Sequence, residues 1–231
     1  MNVRQILQKL SHPNFTCDVC GREVFSGERI CAACAKTLPW NNGLTCPLCG
    51  KKVLEKGVCV DCKGSPPKFD GARSALLHDG GAVRLITRFK CGEIYLVKVL
   101  TEMLMPLLSA FPNADSFAFV PMTKKAEKMR GYNQSRILAG ELAQESGLEL
   151  LEGIEKIRET DAQKLLCGEA RENNLKDCFR LSDNERVKGR KIILVDDTFT
   201  TGATANEISA LLKRKGAAKV FLLTVTSVQS R

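Results

Sequence analysis

The sequence has no long apolar run and no apolar leader. A helical membrane span needs about 18–20 consecutive apolar residues, and no run in these 231 residues approaches that length. The first fifteen residues, MNVRQILQKLSHPNF, carry one short helical face of Ile6, Leu7 and Leu10 and lack the apolar region and cleavage site of a secretory signal. These absences predict a cytoplasmic protein without membrane insertion.

Histidine and the larger aromatic residues are also scarce. The chain has two histidines, one tryptophan and two tyrosines. Neither His12 nor His78 lies within a cysteine pair, which excludes a Cys₂His₂ zinc site. The formal net charge is +9, and it falls to about +5 if eight cysteines bind two zinc ions as thiolates. Such a charge favours phosphate-bearing partners and permits nucleic-acid binding without requiring it.

Cysteine, in contrast, is abundant and clustered. Eight of the eleven cysteines form four CxxC pairs within residues 17–62, while Cys91, Cys167 and Cys178 are scattered. In a reducing compartment, pairs at this spacing bind metal. The odd total is a second argument against a framework made only of disulfides, and the three scattered cysteines are predicted to be buried or incidental thiols.

The four pairs form an internal repeat. The segment CDVCGREVF at residue 17 aligns with CPLCGKKVL at residue 46, and a second pair follows each after ten or nine residues. Two thiolates separated by two residues hold one tetrahedral ion, and the glycine after each leading pair suits a turn with positive φ. The repeat favours two sequential Cys₄ zinc sites, and interleaved ligation by alternate pairs is also compatible with the spacing. The predicted ligands are Cys17, Cys20, Cys31 and Cys34 for one ion and Cys46, Cys49, Cys59 and Cys62 for the other.

These sites are predicted to be structural. A Cys₄ site leaves no coordination position for a substrate, and so short a segment has little core of its own, so that metal supplies much of its folding energy. We predict a zinc-binding module over residues 1–65 and a second domain over residues 66–231. The breaker-rich connector KGSPPKFDG, at residues 63–71, joins them.

Beyond the connector, the apolar pattern alternates between the periods of strands and helices. Strands are predicted at 73–78, 116–120, 191–195 and 219–226, and helices at 83–89, 94–108, 134–144 and 206–215. This alternation predicts an α/β fold with a mainly parallel sheet covered on both faces. Ligands bind such sheets at the carboxyl ends of the strands.

The stretch VDDTFTTGAT, residues 195–204, lies at such a position. We predict that Asp196 and Asp197 end a strand and that residues 198–204 form a loop that enters a helix. The threonines and the glycine would present free backbone N–H groups at the positive end of that helix, which is a phosphate site. Adjacent carboxylates suit vicinal hydroxyls or a metal ion, so the two features together describe a ribose 5-phosphate. The chain contains neither GxxxxGK[ST] nor GxGxxG, the motifs of two other nucleotide sites.

The same stretch resembles the phosphoribosyl-pyrophosphate (PRPP) signature of type I phosphoribosyltransferases. With the paired cysteines and the strings FDGARSALLHDGG, RFKCG, VPMTKKAEKMRGYNQSRILA and DAQKLLCGEARENNLKDCFRL, the chain is similar to ComF-type competence proteins over residues 15–228. The resemblance implies a type I phosphoribosyltransferase-like parallel sheet flanked by helices, with a small N-terminal zinc-binding module.

The resemblance also implies roles for single residues. Asp196 and Asp197 would be the catalytic pair that contacts the ribose hydroxyls of PRPP, with Mg²⁺ bridging pyrophosphate and ribose oxygens. The implied phosphate-binding residues are Thr198, Thr200, Thr201, Gly202, Ala203 and Thr204 for the 5-phosphate, and Thr123, Lys124 and Lys125 for the pyrophosphate. Other matched positions are residues 130–134 (RGYNQ) and Gln163, Arg171 and Asn174. His78 is interpreted as a packed strand histidine rather than a catalytic base.

Three functions are compatible with these residues. The resemblance implies a PRPP-binding protein that handles single-stranded DNA in uptake or recombination, with other competence or recombination proteins as partners. One alternative is an active phosphoribosyltransferase in which an unidentified small acceptor displaces pyrophosphate from the anomeric carbon. The other is a non-catalytic PRPP-sensing adaptor whose zinc module serves as an interaction surface. The sequence predicts the ligand but not the acceptor.

Overall fold

A parallel sheet forms the centre of the protein. The computed structural model describes residues 15–24, 28–158 and 178–230. The strands are β1 Ala72–Leu77, β2 Ser116–Phe119, β3 Glu149–Leu150, β4 Ile154–Lys156, β5 Phe179–Leu181, β6 Lys191–Phe199 and β7 Lys219–Ser227. Five of them form one sheet in the order β1-β7-β6-β2-β3, in which every neighbouring pair is parallel. Strands β4 and β5 make a separate antiparallel pair.

Helices cover both faces of this sheet. The α-helices of the described residues are α1 Ala32–Thr37, α2 Val60–Gly64, α3 Gly80–Lys90, α4 Val97–Leu104, α5 Lys124–Arg130, α6 Gln134–Ser146 and α7 Ala203–Arg214. Along β6, alternate side chains point to opposite faces: Ile193 and Val195 pack with α3, α4 and α6, while Ile192 and Leu194 pack with α7. The predicted α/β fold class is therefore confirmed. Within the described part of the chain, no helix has the length and apolarity needed to span a bilayer.

The cysteine-rich segment packs along the edge of the sheet. The first cysteine module (residues 15–24 and 28–38) and the second cysteine module (residues 43–64) are joined by residues 39–42. This join pairs with the edge strand β1, since Asn41 N donates to Ala75 O at 2.9 Å and Leu77 N donates to Pro39 O at 2.7 Å. An unpaired edge strand is a template for aggregation, so the segment between the modules protects β1.

One predicted helix proves to be three elements. The pattern over 94–108 predicts a single helix, and this is wrong: Ile94–Leu96 is a 3₁₀ turn, α4 covers only Val97–Leu104, and Met105–Ala110 is again 3₁₀. Pro106 explains the second boundary, because proline has no N–H to donate and its ring clashes with the preceding turn of an α-helix.

Strand β6 extends further than the sequence indicates. The pattern predicts that Asp196 and Asp197 end the strand, whereas pairing with β7 continues through Thr198 and Phe199. Thr198, assigned to the phosphate loop by resemblance, is thus a strand residue, and its hydroxyl lies 3.3 Å from Thr226 Oγ1. The physical reason is that β7 is equally long and supplies hydrogen-bonding partners over the whole extension.

The two repeat glycines provide a test of how the second cysteine module packs on the sheet. Gly21 and Gly50 both have positive φ, +74° and +66°. A Cβ at Gly21 would have nothing within 4 Å, whereas a Cβ at Gly50 would overlap the carbonyl oxygen of Ala72 in β1. We expect Gly21→Ala to cost about 1–2 kcal/mol from backbone strain alone. Gly50→Ala should cost clearly more, with a lower melting temperature in calorimetry. Equal losses would contradict the close approach of the second cysteine module to β1.

Candidate functional site

The two adjacent carboxylates lie at the carboxyl end of β6, within a network of donors. The side chain of Asp197 is 6% exposed. Its Oδ2 accepts from Gln134 Nε2 at 2.8 Å, and its Oδ1 lies 3.0 Å from Lys90 Nζ. A buried carboxylate needs a partner for each oxygen, and Asp197 obtains them from α6 and from the last residue of α3.

Asp196 has a different environment. Its Oδ1 accepts from Ser135 Oγ at 3.0 Å and from the backbone N–H of Asp197 at 2.9 Å. Burial raises the pKa of Asp196, and the neighbouring charge of Asp197 raises it further, to about 7. Two carboxylates this close resist carrying two charges. A cation or a pair of hydroxyl donors is the chemistry that would stabilise both ionised forms.

The loop after β6 presents backbone donors next to these carboxylates. Thr200 and Thr201 are exposed, and Gly202 occupies the N-cap of α7 with φ +84°. Glycine is required there, because a Cβ would lie 2.7 Å from the ring of Phe199. Having no side chain, Gly202 cannot cap the first N–H groups of the helix. The predicted loop residues from Thr200 to Thr204 are therefore brought together at a helix N-terminus that suits an anion.

The RGYNQ segment supports the site from the side of β2. Asn133 caps α6 through Ser135 N and Arg136 N and donates to Val120 O at 3.1 Å. Gln134, which holds Asp197, is itself bonded through Oε1 to Arg130 Nη1 at 2.7 Å. The sequence left open whether this segment touches ligand or braces the loop. The geometry shows bracing for Asn133 and direct contact with a site carboxylate for Gln134.

The predicted pyrophosphate residues lie in a different place from the carboxylates. Thr123 caps α5 by accepting from Ala126 N at 3.2 Å, and Lys124 and Lys125 are exposed in the first turn of that helix. Thr123 and Lys124 line a cavity of about 560 Å³ between the β2 loop and the β4–β5 pair. The structure therefore places Thr123 and Lys124 on the wall of this cavity.

His78 lies half-buried just after β1. Its Nδ1 is 3.0 Å from Thr226 Oγ1. Burial lowers the pKa of His78, and the charge of Lys90 lowers it further while Asp197 opposes the change. The imidazole is thus neutral at physiological pH and packed against β7. Gln163, Arg171, Asn174 and Cys167 lie outside the described residues; Cys178 is buried and Cys91 is exposed.

Three polar residues beside the carboxylates or the following loop were not predicted from the sequence. Lys90 lies in the string RFKCG, and Ser135 directly follows the string RGYNQ. Lys51 is buried beside Phe199 at the end of β6, with Nζ 5.0 Å from the ring centroid of Phe199 and 3.3 Å from Asp61 Oδ2. Lys90 follows Ala82 and Ile86 at four-residue spacing on the buried face of α3. A lysine at such a position could have indicated a buried acidic partner.

The eight paired cysteines gather into two groups. Within each group all sulfurs lie within 4.8 Å of one another, and the groups are sequential: Cys17, Cys20, Cys31 and Cys34, and Cys46, Cys49, Cys59 and Cys62. This arrangement decides between the two ligation schemes left open by the spacing. Four thiolates at this separation match the tetrahedral Cys₄ geometry of a structural zinc ion.

Backbone donors prepare the leading cysteine of each group. Burial raises the pKa of Cys17, but N–H donors led by Cys31 outweigh it and lower the pKa to about 7. Cys46 behaves in the same way, with Cys59 as the leading donor. Zinc binds thiolates, so one sulfur per site is ready to bind near neutral pH before the metal stabilises the others.

The two zinc sites differ in exposure, and we expect them to release metal at different rates. All four ligands of the second site are buried, whereas Cys20 of the first is exposed. Purified protein should contain two zinc ions per chain by mass spectrometry, and a colorimetric chelator should remove them in a fast and a slow phase. Cys20→Ser should abolish the fast phase and leave the slow one. A metal content near one, or a single phase for both ions, would contradict the assignment.

Asp196 links the stability of the ligand-free protein to pH. Its pKa is about 7 in the folded protein and about 4 in an unfolded chain. The folded protein therefore binds this proton more tightly, and the resulting stability is lost as pH rises through about 7. Asp196→Asn keeps an oxygen for the same two hydrogen bonds, so its stability relative to wild type should increase from about pH 5 to about pH 8. Urea unfolding without Mg²⁺ or phosphate measures this difference, and a constant difference would refute the raised pKa.

Comparison with known proteins adds family information to this geometry. A double zinc ribbon domain family matches residues 7–63. Among solved structures, adenine phosphoribosyltransferase from Thermoanaerobacter pseudethanolicus aligns at 16% identity with a TM-score of 0.39, covering 58% of this chain and 82% of that one.

Two curated relatives match along most of the chain. The competence protein ComFC of Bacillus subtilis is 27% identical over 228 residues, covering 94% of this chain and 92% of the relative. The DNA utilization protein YhgH of Salmonella typhi is 32% identical over 203 residues, covering 83% of this chain and 87% of the relative. With this identity over most of both chains, the protein belongs to the ComF family of competence proteins, which includes ComFC and YhgH.

Proposed function

We propose that the protein binds PRPP together with Mg²⁺ at the carboxyl end of β6. In this proposal Asp196 and Asp197 accept hydrogen bonds from the ribose hydroxyls, and the loop from Thr200 to Thr204 binds the 5-phosphate. The observation that carries the proposal is the order of two features along the chain at the end of β6: a carboxylate pair held by Gln134 and Ser135, and then a helix N-terminus whose N-cap residue, Gly202, has no side chain. A ribose 5-phosphate carries both a diol and a phosphate, the two groups that these features suit.

The donor network supports a ligand of this kind. Gln134 and Ser135 hold one oxygen of each carboxylate from the side of α6. The other oxygen of Asp197 lies 3.0 Å from Lys90 Nζ, a contact that the diol would replace. Carboxylates pre-oriented by neighbours lose little entropy on binding. Mg²⁺ prefers oxygen ligands and commonly binds through one or two carboxylates plus substrate phosphates, so the same pair suits the cation that neutralises the pyrophosphate.

We further propose that PRPP binding serves the handling of single-stranded DNA, with other competence or recombination proteins as partners. The relatives are described as a competence protein and a DNA utilization protein. The formal net charge of +9, or about +5 with both zinc sites filled, supports attraction to a nucleic acid. In this proposal Thr123, Lys124 and Lys125 bind the pyrophosphate end of PRPP, and the zinc sites are structural.

Substitution of both carboxylates tests the PRPP site. We expect Asp196→Asn with Asp197→Asn to weaken Mg²⁺-dependent PRPP binding by at least about 100-fold, because hydrogen bonds to charged groups contribute about 1.5–3 kcal/mol each. Isothermal titration calorimetry measures the affinity. Asp115→Asn is the matched control, since this carboxylate accepts from Lys191 N at the opposite end of the same strand. Unchanged affinity in the double variant, with the fold intact, would refute the ribose assignment.

The same titrations separate the proposed function from its alternatives. A DNA-handling protein binds single-stranded oligonucleotides with an affinity that falls steeply with salt. An active phosphoribosyltransferase would instead release pyrophosphate from PRPP when the right small acceptor is added. An adaptor would bind PRPP but neither oligonucleotide nor acceptor.

A further inference from the structure

Lys90 occupies the one oxygen of Asp197 that a ligand would need. The ammonium lies 3.0 Å from Oδ1, while Oδ2 is bonded to Gln134 deeper in the protein. The Lys90 side chain is 32% exposed and the Asp197 side chain 6%. Lys90 therefore lies between the buried carboxylate and solvent, on the side from which a diol would approach.

The backbone on both sides of Lys90 is held by side-chain hydrogen bonds. The Tyr132 hydroxyl donates to Phe89 O and accepts from Gly92 N at 3.1 Å, which brackets Lys90 on both sides. Arg88 forms a two-pronged ion pair with Glu93, with Nη2 2.6 Å from Oε2. A lysine stem of four carbons on a fixed pivot can carry its charge several ångströms without moving the helix.

A diol that binds Asp197 would displace this ammonium toward a second anion. In PRPP the pyrophosphate is attached to the carbon next to the one that carries the 2-hydroxyl. An ammonium that leaves Asp197 as the diol arrives is then within side-chain reach of the pyrophosphate oxygens. Exchange of one anionic partner for another keeps the partly buried charge neutralised in both states.

We propose that Lys90 is a ligand of the pyrophosphate group, and that it is held on Asp197 until the sugar phosphate arrives. This inference rests on the proposed PRPP site. It assigns Lys90 two opposite effects: it competes with the ribose diol for Asp197, and it attracts the pyrophosphate. The balance of these effects depends on whether the ligand carries a pyrophosphate.

Comparison of two sugar phosphates separates the effects. Calorimetry with Mg²⁺ present would measure PRPP and ribose 5-phosphate, which lacks the pyrophosphate, against wild type and Lys90→Met. We expect PRPP to bind Lys90→Met about tenfold or more weakly, through loss of a charge-assisted contact. Ribose 5-phosphate should bind the variant as tightly as wild type or more tightly, because a competitor for Asp197 has gone. Lys90→Arg should retain most of the PRPP affinity.

A matched control and a fold check complete the design. Lys98→Met makes the same chemical change at a lysine that is ion-paired with Glu141, between α4 and α6 and away from the carboxylates, and it should leave both affinities unchanged. Zinc content and thermal unfolding verify that each variant is folded, and Lys90→Gln replaces Lys90→Met if methionine disturbs folding.

The outcomes are distinguishable. Equal losses for the two ligands would show a general structural or electrostatic role, and no loss for PRPP would show no contact; either result overturns the Lys90 assignment while PRPP binding by wild type stands. A wild-type protein that binds neither ligand would refute the proposed function, and the Lys90 assignment with it.

Discussion

The need of the carboxylate pair at the end of β6 for hydrogen-bond partners is the constraint on which the candidate site depends. A buried charge requires partners, and those of Asp196 and Asp197 come from α3 and α6, which are distant in sequence. The end of α3 and the beginning of α6 must therefore both lie next to these carboxylates. Gln134 and Ser135 are in the first turn of α6, and Lys90 is the last residue of α3. The need to satisfy two carboxylates thus positions both helices against the same strand end.

The cysteine modules solve a second problem, which is the exposed edge of the sheet. Strand β1 has a neighbour on one side only, and the join between the modules pairs with its free side. The modules are too small to form a core alone, so the zinc ions order them and the sheet supplies apolar surface. The second module contributes four cysteines to the same core as Phe69, Phe199 and Ala203. The loop that is proposed to bind the 5-phosphate therefore packs on the same core as the second group of four cysteines.

Much of this could be predicted from periodicity and motifs, and the remainder depended on distant partners. The alternating pattern and the cysteine spacing indicated the fold class and two zinc sites, because both signals are local. The extension of β6 through Phe199 was missed because it depends on β7, which lies far along the chain. Lys90 and Ser135 were missed for a related reason: nothing within a few residues of either indicates a buried carboxylate. The ligand contacts of Asp196 and Asp197 stay predictions.

The end of α3 shows why the cysteine modules and the carboxylate site are not independent. Arg88 donates to the carbonyl oxygens of Asp18 and Val19 in the first cysteine module, and Lys90, two residues on, contacts Asp197. Both side chains belong to the last turn of α3, where the Tyr132 hydroxyl is hydrogen-bonded to Phe89 O and Gly92 N. A displacement of the first cysteine module would therefore shift the pivot of Lys90. The first cysteine module and the candidate carboxylate site therefore contact the same end of α3.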